Sequence, residues 1–410
     1  MKYLAGTDIV KIERMKSFLG KSAVDSVFTK KEKEYILGKK NPEETAAGIF
    51  AAKEAIFKAL GKSIYKRMTL AEVNYDEKGK PYFKLDEEFF GKVSSSLSVS
   101  HDGDYAIAFV IATHETIEKT SIEKEVMDFN TYLVKSANIR KRENDTNKGN
   151  YGHVLALCGS KGMSGAALMA GKSMSKSGAG LITMGVPAPI GDIIAKKLPE
   201  AMLLYLKDNG QSFSKYAIDE IDEISKKANT LLIGPGMRNN EDTAYLIKEA
   251  IKKFRGKNIV IDADGLNALS DSPEYFENAV ITPHPGEMAR LIDADVASVQ
   301  RDRKGEATSF AKKYNCTVIL KGFGTIVATS DGKAYLVDKG NPGMSNGGSG
   351  DCLAGIVASF MAQGIPDAPI KAAYVHSLAG DMCKEKYSEN AFSATDLIKM
   401  IPKAIKSMYD

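Results

Sequence analysis

Three observations predict an α/β fold in two parts. In the longer second region, six short runs are apolar throughout, at 153–157, 181–186, 230–233, 258–262, 279–282 and 317–320, and helical stretches separate most of them. Strands without alternation are covered on both faces, as in a mostly parallel sheet clothed by helices. Residues able to do chemistry follow directly on those runs, where open α/β sheets bind ligands. Finally, a polar stretch over 115–149 separates this region from a first segment in which strands and helices alternate. A chain of 410 residues is too long for one ordinary core. We therefore expect domains at 1–117 and 148–410 with a connector at 118–147.

In the first segment, LAGTDIV reads as a short strand ending on Asp8, followed by a helix through Ile12, Met15 and Phe18. PEETAAGIFAAKEAIFKALG carries the signals of a helix. Pro42 fits its first turn, Glu43 and Glu44 favour the dipole, and Gly61 fits the stop. LAEVNYDEKGKPYFKL reads as two strands around a turn at 78–81. In SSLSVSHDGDYAIAFVIAT, Tyr105, Ile107, Phe109 and Ile111 alternate with small residues, as in a strand. Asp8 and Glu54 are candidate ligands for magnesium, a hard cation that takes oxygen donors. Lys53 and His101 are candidates for meeting phosphates. The plainer alternative makes Asp8 a turn residue and Lys53–Glu54 a solvated helix face. The charge run at 140–148 reads as a solvated loop.

In the second segment, the stretch NPGMSNGGSGDCLAG at 341–355 is the most informative. Gly347, Gly348 and Gly350 precede Asp351, and an apolar helical pattern follows. A glycine-rich turn entering a helix N-terminus presents free amides and partial positive charge, which suits phosphate. A carboxylate repels phosphate, so Asp351 is either the cap of its helix or a base acting beside the anion. LLIGPGM lets backbone approach a ligand at Gly236 or makes an ordinary turn. VITPHPGE holds His284 between prolines, as a ligand donor or a satisfied turn histidine. VILKGFGT sets Lys321 before Gly322, Phe323, Gly324 and Thr325, which suits nucleotide phosphates or a plain loop. In IDADGLNAL, Asp262 or Asp264 serves a magnesium or hydroxyl, or Asp264 caps the next helix. KGNYGHVLALCGSKGMSGAALMAG places glycines before a small-residue helix that contains Ala166.

The totals exclude several classes. Hydrophobic content of 43% with 26% charged residues is that of a globular protein. Net charge of +4 is too small for a general nucleic-acid binder. No apolar run approaches the roughly 20 residues of a membrane span. MKYLAGTDIVKIERM carries charge where a signal peptide is apolar, so a cytoplasmic location is expected. Cys158, Cys316, Cys352 and Cys383 are widely spaced and read as reduced packing residues.

From about residue 148 the chain resembles the NAD(P)H-hydrate dehydratase family, a branch of the ribokinase-like fold. The resemblance rests on KGNYGHVLALCGS, GAALMAG, SGAGLITMGVP, IGPGM, DADGLNAL, TPHPGE, LKGFGT and NPGMSNGGSGDCLAG in that order. It implies repair of hydrated (6S)-NADH or NADPH, with ADP or ATP phosphorylating the hydrate hydroxyl before phosphate leaves. Magnesium is expected. Asp351 would take the hydroxyl proton, and the amides of Gly347, Gly348 and Gly350 would stabilise the moving phosphoryl group. Lys321, Gly322, Phe323, Gly324, Thr325 and Gly350 would contact the adenine nucleotide. Ala166, Gly236, His284 and Asp351 would contact the hydrate.

Residues 1–113 resemble the holo-acyl-carrier-protein synthase family on GTDIVKIER, FTKKEKEY, AAGIFAAKEAIFKALG and SLSVSHDGDYAIAFV. The resemblance implies a small α+β domain. It would transfer 4′-phosphopantetheine from coenzyme A to a serine of acyl carrier protein, with magnesium and as an oligomer, usually a trimer. Asp8 and Glu54 match the metal ligands, and Lys53 and His101 would meet coenzyme A, Lys53 also serving catalysis. Arg14 and Lys16 lie where the family docks its acidic partner. Ile49 stands where the family often has arginine, and Ser63 and Tyr65 replace glycines of a GTGIG-like loop. The rivals are a ribokinase-like vitamin or sugar kinase and, for the first segment, a non-catalytic oligomerisation or carrier-binding module.

Overall fold

The uninterrupted apolar runs form one large sheet in a computed structural model that describes residues 4–20, 22–61, 68–90, 93–114, 122–128, 130–139 and 141–409. The chain divides into two compact units, residues 1–120 and 121–410.

The first unit holds β1 (Leu4–Lys11), β2 (Ala71–Tyr75), β3 (Pro81–Leu85), β4 (Val93–Asp102) and β5 (Tyr105–His114). Antiparallel pairing gives the order β1-β5-β4, with β2 and β3 as a separate hairpin. The helix Pro42–Ala59 lies on one face of the three-stranded sheet. Small residues allow this: Ala106, Ala108 and Ala112 are fully buried, and a Cβ on Gly6 would stand 2.1 Å from the Ala55 carbonyl oxygen. Ile107, Phe109 and Ile111, the larger residues of the same strand, point to the other face and are 42–46% exposed.

One expectation fails here. Lys53 belongs to the core and not to a solvated helix face. It is fully buried, lies 2.7 Å from the buried Glu32 carboxylate and donates to the Met68 carbonyl at 3.0 Å. Glu32 in turn accepts from the amides of Val73 and Thr29. The pair ties the long helix to the helix Lys30–Leu37 and to β2. Burial pulls the Lys53 ammonium below its usual range, against the pull of Glu32. Breaking one side of such a pair strands the other charge, so Lys53→Met should cost about 3–5 kcal/mol. The denaturant midpoint of the first unit measures this. Unchanged stability with lost transfer activity would return Lys53 to a catalytic role.

The second unit contains β6 (Ile122–Asp128), β7 (Thr131–Ala137), β8 (His153–Leu157), β9 (Leu181–Pro187), β10 (Met202–Leu206), β11 (Thr230–Ile233), β12 (Asn258–Ile261), β13 (Val280–Ile281), β14 (Thr317–Leu320), β15 (Thr325–Ala328) and β16 (Ala334–Val337). Their order is β10-β9-β8-β11-β12-β13-β14-β15-β16-β7-β6. Pairing is parallel from β10 to β14, antiparallel through β15 to β16, parallel from β16 to β7, and antiparallel at β6. Alternate residues of each strand feed two cores. Val154, Ala156, Leu232 and Val260 pack with the helices Ser164–Lys176, Ser349–Ala362 and Ala368–Tyr387. Leu155, Leu157, Leu231 and Ile261 pack on the opposite face with Glu241–Lys253 and Arg303–Lys313.

Part of the expected connector is thereby corrected: β6 and β7 lie inside 118–147 yet extend the large sheet beside β16. All four cysteines are buried and free. Among the described residues, no helix is long and apolar enough to cross a membrane.

Candidate active site

The parallel strands deliver their carboxyl ends to one edge of the sheet, and the chemistry-bearing loops collect there. The chain reaches Ser349–Ala362 through Gly348, whose φ of +94° is a glycine conformation. A Cβ on Gly348 would also press on Met169 at 2.9 Å. The amides of Gly347, Gly348 and Gly350 donate to no protein group among the described residues. Free amides at a helix start are groups that can hold an anion. Asp351 sits in the first turn but makes no capping bond. Burial, then the charge of Asp262, push its carboxyl up to about 7, against the pull of Lys321. A carboxyl that titrates near neutrality beside free amides is suited to accepting a proton.

Lys321, at the end of β14, stands 2.9 Å from Asp262 and 3.5 Å from Glu287. Burial alone would lower its pKa, but the two carboxylates more than offset it and the ammonium is held charged. Its Nζ lies 3.3 Å from where a Cβ of Gly350 would be, so it borders this helix start. Asp262 and Asp264 divide their labour. Asp262 is buried and holds Lys321, while Asp264 accepts from the Arg238 amide at 2.8 Å. Between them Ala263 adopts φ +50° and ψ −116°, a strained geometry at a strand end.

His284 caps the helix Pro285–Leu291. Its Nδ1 accepts from the Gly286 and Glu287 amides at 3.0 and 3.3 Å, so Nε2 carries the hydrogen. Partial burial keeps the ring below its usual pKa. Ala166, in the helix Ser164–Lys176, meets Gly236 in the loop after β11: a Cβ on Gly236 would lie 2.8 Å from that of Ala166. A cavity of about 900 Å³ opens beside these groups. His284, Lys321, Gly322, Phe323, Thr325, Gly347 and Gly350 line it, whereas Ala166, Gly236, Gly324, Gly348 and Asp351 lie outside its lining.

Sequence reasoning missed His376, which also lines the cavity. Its Nε2 donates to the Ser349 carbonyl at 2.9 Å and steadies the first turn. Burial holds it down to about 4, so it stays neutral. Nothing near it in sequence announces the role, because the contact spans 27 positions. Asn341 and the Gly340 amide were missed likewise; both are anchored by Asp381 at 3.1 Å.

In the first unit, Asp8 and Glu54 come together. Lys58 reaches the Asp8 carboxylate at 2.6 Å and Glu54 at 3.6 Å. Burial, then the nearby Asp8 charge, raise the Glu54 carboxyl. Two crowded carboxylates drawing in an ammonium form a hard-oxygen set that fits a divalent cation. His101 is not brought to them. It packs 3.1 Å from the Glu44 carbonyl and against Gly48, which precedes Glu54 by six residues, about 9 Å along the helix. Ile49 is fully buried in the core. Ser63 and Tyr65 lie outside the described residues. Arg14 and Lys16 are exposed.

Residues 154–403 match the family model described as NAD(P)H-hydrate dehydratase, and residues 5–110 match that of the 4′-phosphopantetheinyl transferase superfamily. The bifunctional NAD(P)H-hydrate repair enzyme Nnr of Moorella thermoacetica is 37% identical over 68% of this chain and 55% of its own length. The ADP-dependent (S)-NAD(P)H-hydrate dehydratase of Xanthomonas campestris is 34% identical over 61% of this chain and 87% of its own. The solved ADP/ATP-dependent NAD(P)H-hydrate dehydratase of Bacillus subtilis, co-crystallised with ATP and Mg2+, superposes with a TM-score of 0.56. It is 25% identical, over 66% of this chain and 95% of that one. The chain spans about half the length of the bifunctional repair enzymes it matches.

Proposed function

Because this chain belongs to the NAD(P)H-hydrate dehydratase family, we propose that its second unit returns hydrated NADH or NADPH to the active cofactor at the expense of ADP. One observation carries this reading: a carboxyl titrating near neutrality stands beside unpaired main-chain amides at a helix start. As the γ-less diphosphate gives up its terminal phosphoryl group, the hydrate oxygen attacks phosphorus and its proton passes to Asp351. AMP leaves. The C–O bond then breaks, inorganic phosphate departs, and loss of a ring proton completes the double bond. The main-chain amides neutralise charge on the phosphoryl oxygens throughout. Gly322, Phe323, Gly324 and Thr325 would contact the adenine nucleotide, with ATP the alternative donor. His284 would face the hydrate. Magnesium, when bound, would screen the phosphate charges.

We propose further that the first unit transfers 4′-phosphopantetheine from coenzyme A to a carrier-protein serine, with Asp8 and Glu54 holding magnesium. Arg14 and Lys16 would meet the acidic partner. The open apolar face of Ile9, Ile107, Phe109 and Ile111 supports a homo-oligomer. A cytoplasmic location fits the free buried cysteines. The deciding experiment incubates purified protein with hydrated NADH and either ADP or ATP. Return of the reduced-nicotinamide absorbance with stoichiometric AMP is expected. A stable phosphorylated product without that absorbance would instead make the second unit a ribokinase-like kinase.

A further inference from the structure

Resting on the reading that the cavity takes an adenine nucleotide, we propose that Arg303 is a positioning residue for the phosphoryl donor. It occupies the carbonyls of Leu320, Lys321 and Phe323, so that the loop turns its amide donors to the ligand. Arg303 opens the helix Arg303–Lys313. Its Nη1 donates to the Phe323 carbonyl at 2.7 Å, and Nη2 donates to those of Leu320 and Lys321 at 3.1 and 3.3 Å. The Thr325 hydroxyl donates to the carbonyl of Gly322 at 3.2 Å. Every carbonyl from 320 to 323 is thus engaged. By contrast, the amides of Gly322, Phe323 and Gly324 donate to no protein group among the described residues. Such a row of free amides is a concavity for anions.

The backbone needed for this arrangement excludes side chains. Gly322 has φ +144° and Gly324 φ +66°, and a Cβ on Gly322 would stand 2.8 Å from Arg303 Nη2. Phe323, at the loop tip, is 81% exposed at the cavity wall.

Charge balance gives Arg303 a second contribution. Lys321 is already matched by Asp262 and Glu287, so its charge is largely neutralised before any ligand arrives. Arg303 is half-buried, its Nε is buried and unpartnered, and burial alone acts on its pKa, with no carboxylate opposing it. Buried charges are ordinarily paired. The anion that completes this one is the ligand's polyphosphate, reached through the loop amides.

The test compares wild type with Arg303→Met and Arg303→Lys in the full chain, measuring KM for ADP and for hydrated NADH, and the rise in melting temperature caused by ADP. We expect Arg303→Met to raise KM for ADP about 10–100-fold, the worth of one or two charged hydrogen bonds, with KM for the hydrate within about twofold. Arg303→Lys should recover little, because an ammonium cannot span three carbonyls as a planar fork does. Should Arg303→Met fail to fold, the lysine variant alone decides. Equal rises in both KM values, or ADP stabilisation equal to wild type, overturn the inference while the nucleotide reading stands. A wild-type protein that ADP does not stabilise sinks both.

Discussion

Asp351→Asn is expected to slow repair of hydrated NADH by about 10²–10⁴-fold, the range over which a positioned base acts. The amide keeps the shape of the carboxyl but cannot take the hydroxyl proton. The pH dependence should identify the group. With a folded value of about 7, wild-type kcat/KM should rise through neutrality as Asp351 loses its proton, then level off. Neutral His376, near 4, adds no limb in that window. The asparagine variant should lack the rise. Stability should move the other way. The folded pKa lies above the ordinary 3.8, so the carboxyl's contribution is full below that value and is lost as pH climbs through 7. Asp351→Asn should therefore unfold later than wild type at pH 8, by at most about 4 kcal/mol for a shift of this size. Repair at wild-type speed by the variant would remove the base from the mechanism.

Asp8→Ala is expected to reduce pantetheine transfer by about 10³-fold or more, since several kcal/mol of transition-state charge stabilisation rest on a bound cation. The substitution leaves Glu54 facing Lys58 alone, a neutral pair with little left for a divalent ion. Glu54→Gln should do the same. Transfer of labelled pantetheine to a carrier protein is the activity measured, and a magnesium-dependent rise in melting temperature gives a reading independent of turnover. Hydrate repair by the same sample confirms that intact protein was assayed. An intact wild-type chain that transfers nothing under these conditions would favour a carrier-binding or oligomerisation module.

Six strands of the large sheet were legible because residues buried on both faces leave no polar alternation. The strands β10, β15 and β16 were not, for related reasons. Met202 and Tyr205 in β10 stay near half-exposed at a sheet edge, and β15 begins only after the glycine loop that dominated its reading. Charge hid β6 and β7: Glu123, Lys124 and Glu125 read as linker, although an edge strand tolerates such residues. The helix start after Gly348 could be read from spacing because its signal is local, with glycines feeding a helix. Lys53 misled because sequence shows a charge and not its direction; one position along a helix turns a side chain by about 100°. Glu54 therefore meets Asp8 while Lys53 faces the core. His376 and Arg303 act across long separations on backbone carbonyls, which carry no mark in sequence.

The pairing of β7 with β16 bears on how the chain can be cut. Residue 148, where the family resemblance starts, looks like a natural place to begin a shortened dehydratase. Such a fragment would shed β6 and β7, strip Tyr132 from its stack on Tyr335 at 5.3 Å, and leave β16 with a raw hydrogen-bonding rim. Bare rims recruit other chains, so a fragment starting at 148 should self-associate where one starting at 122 stays dispersed.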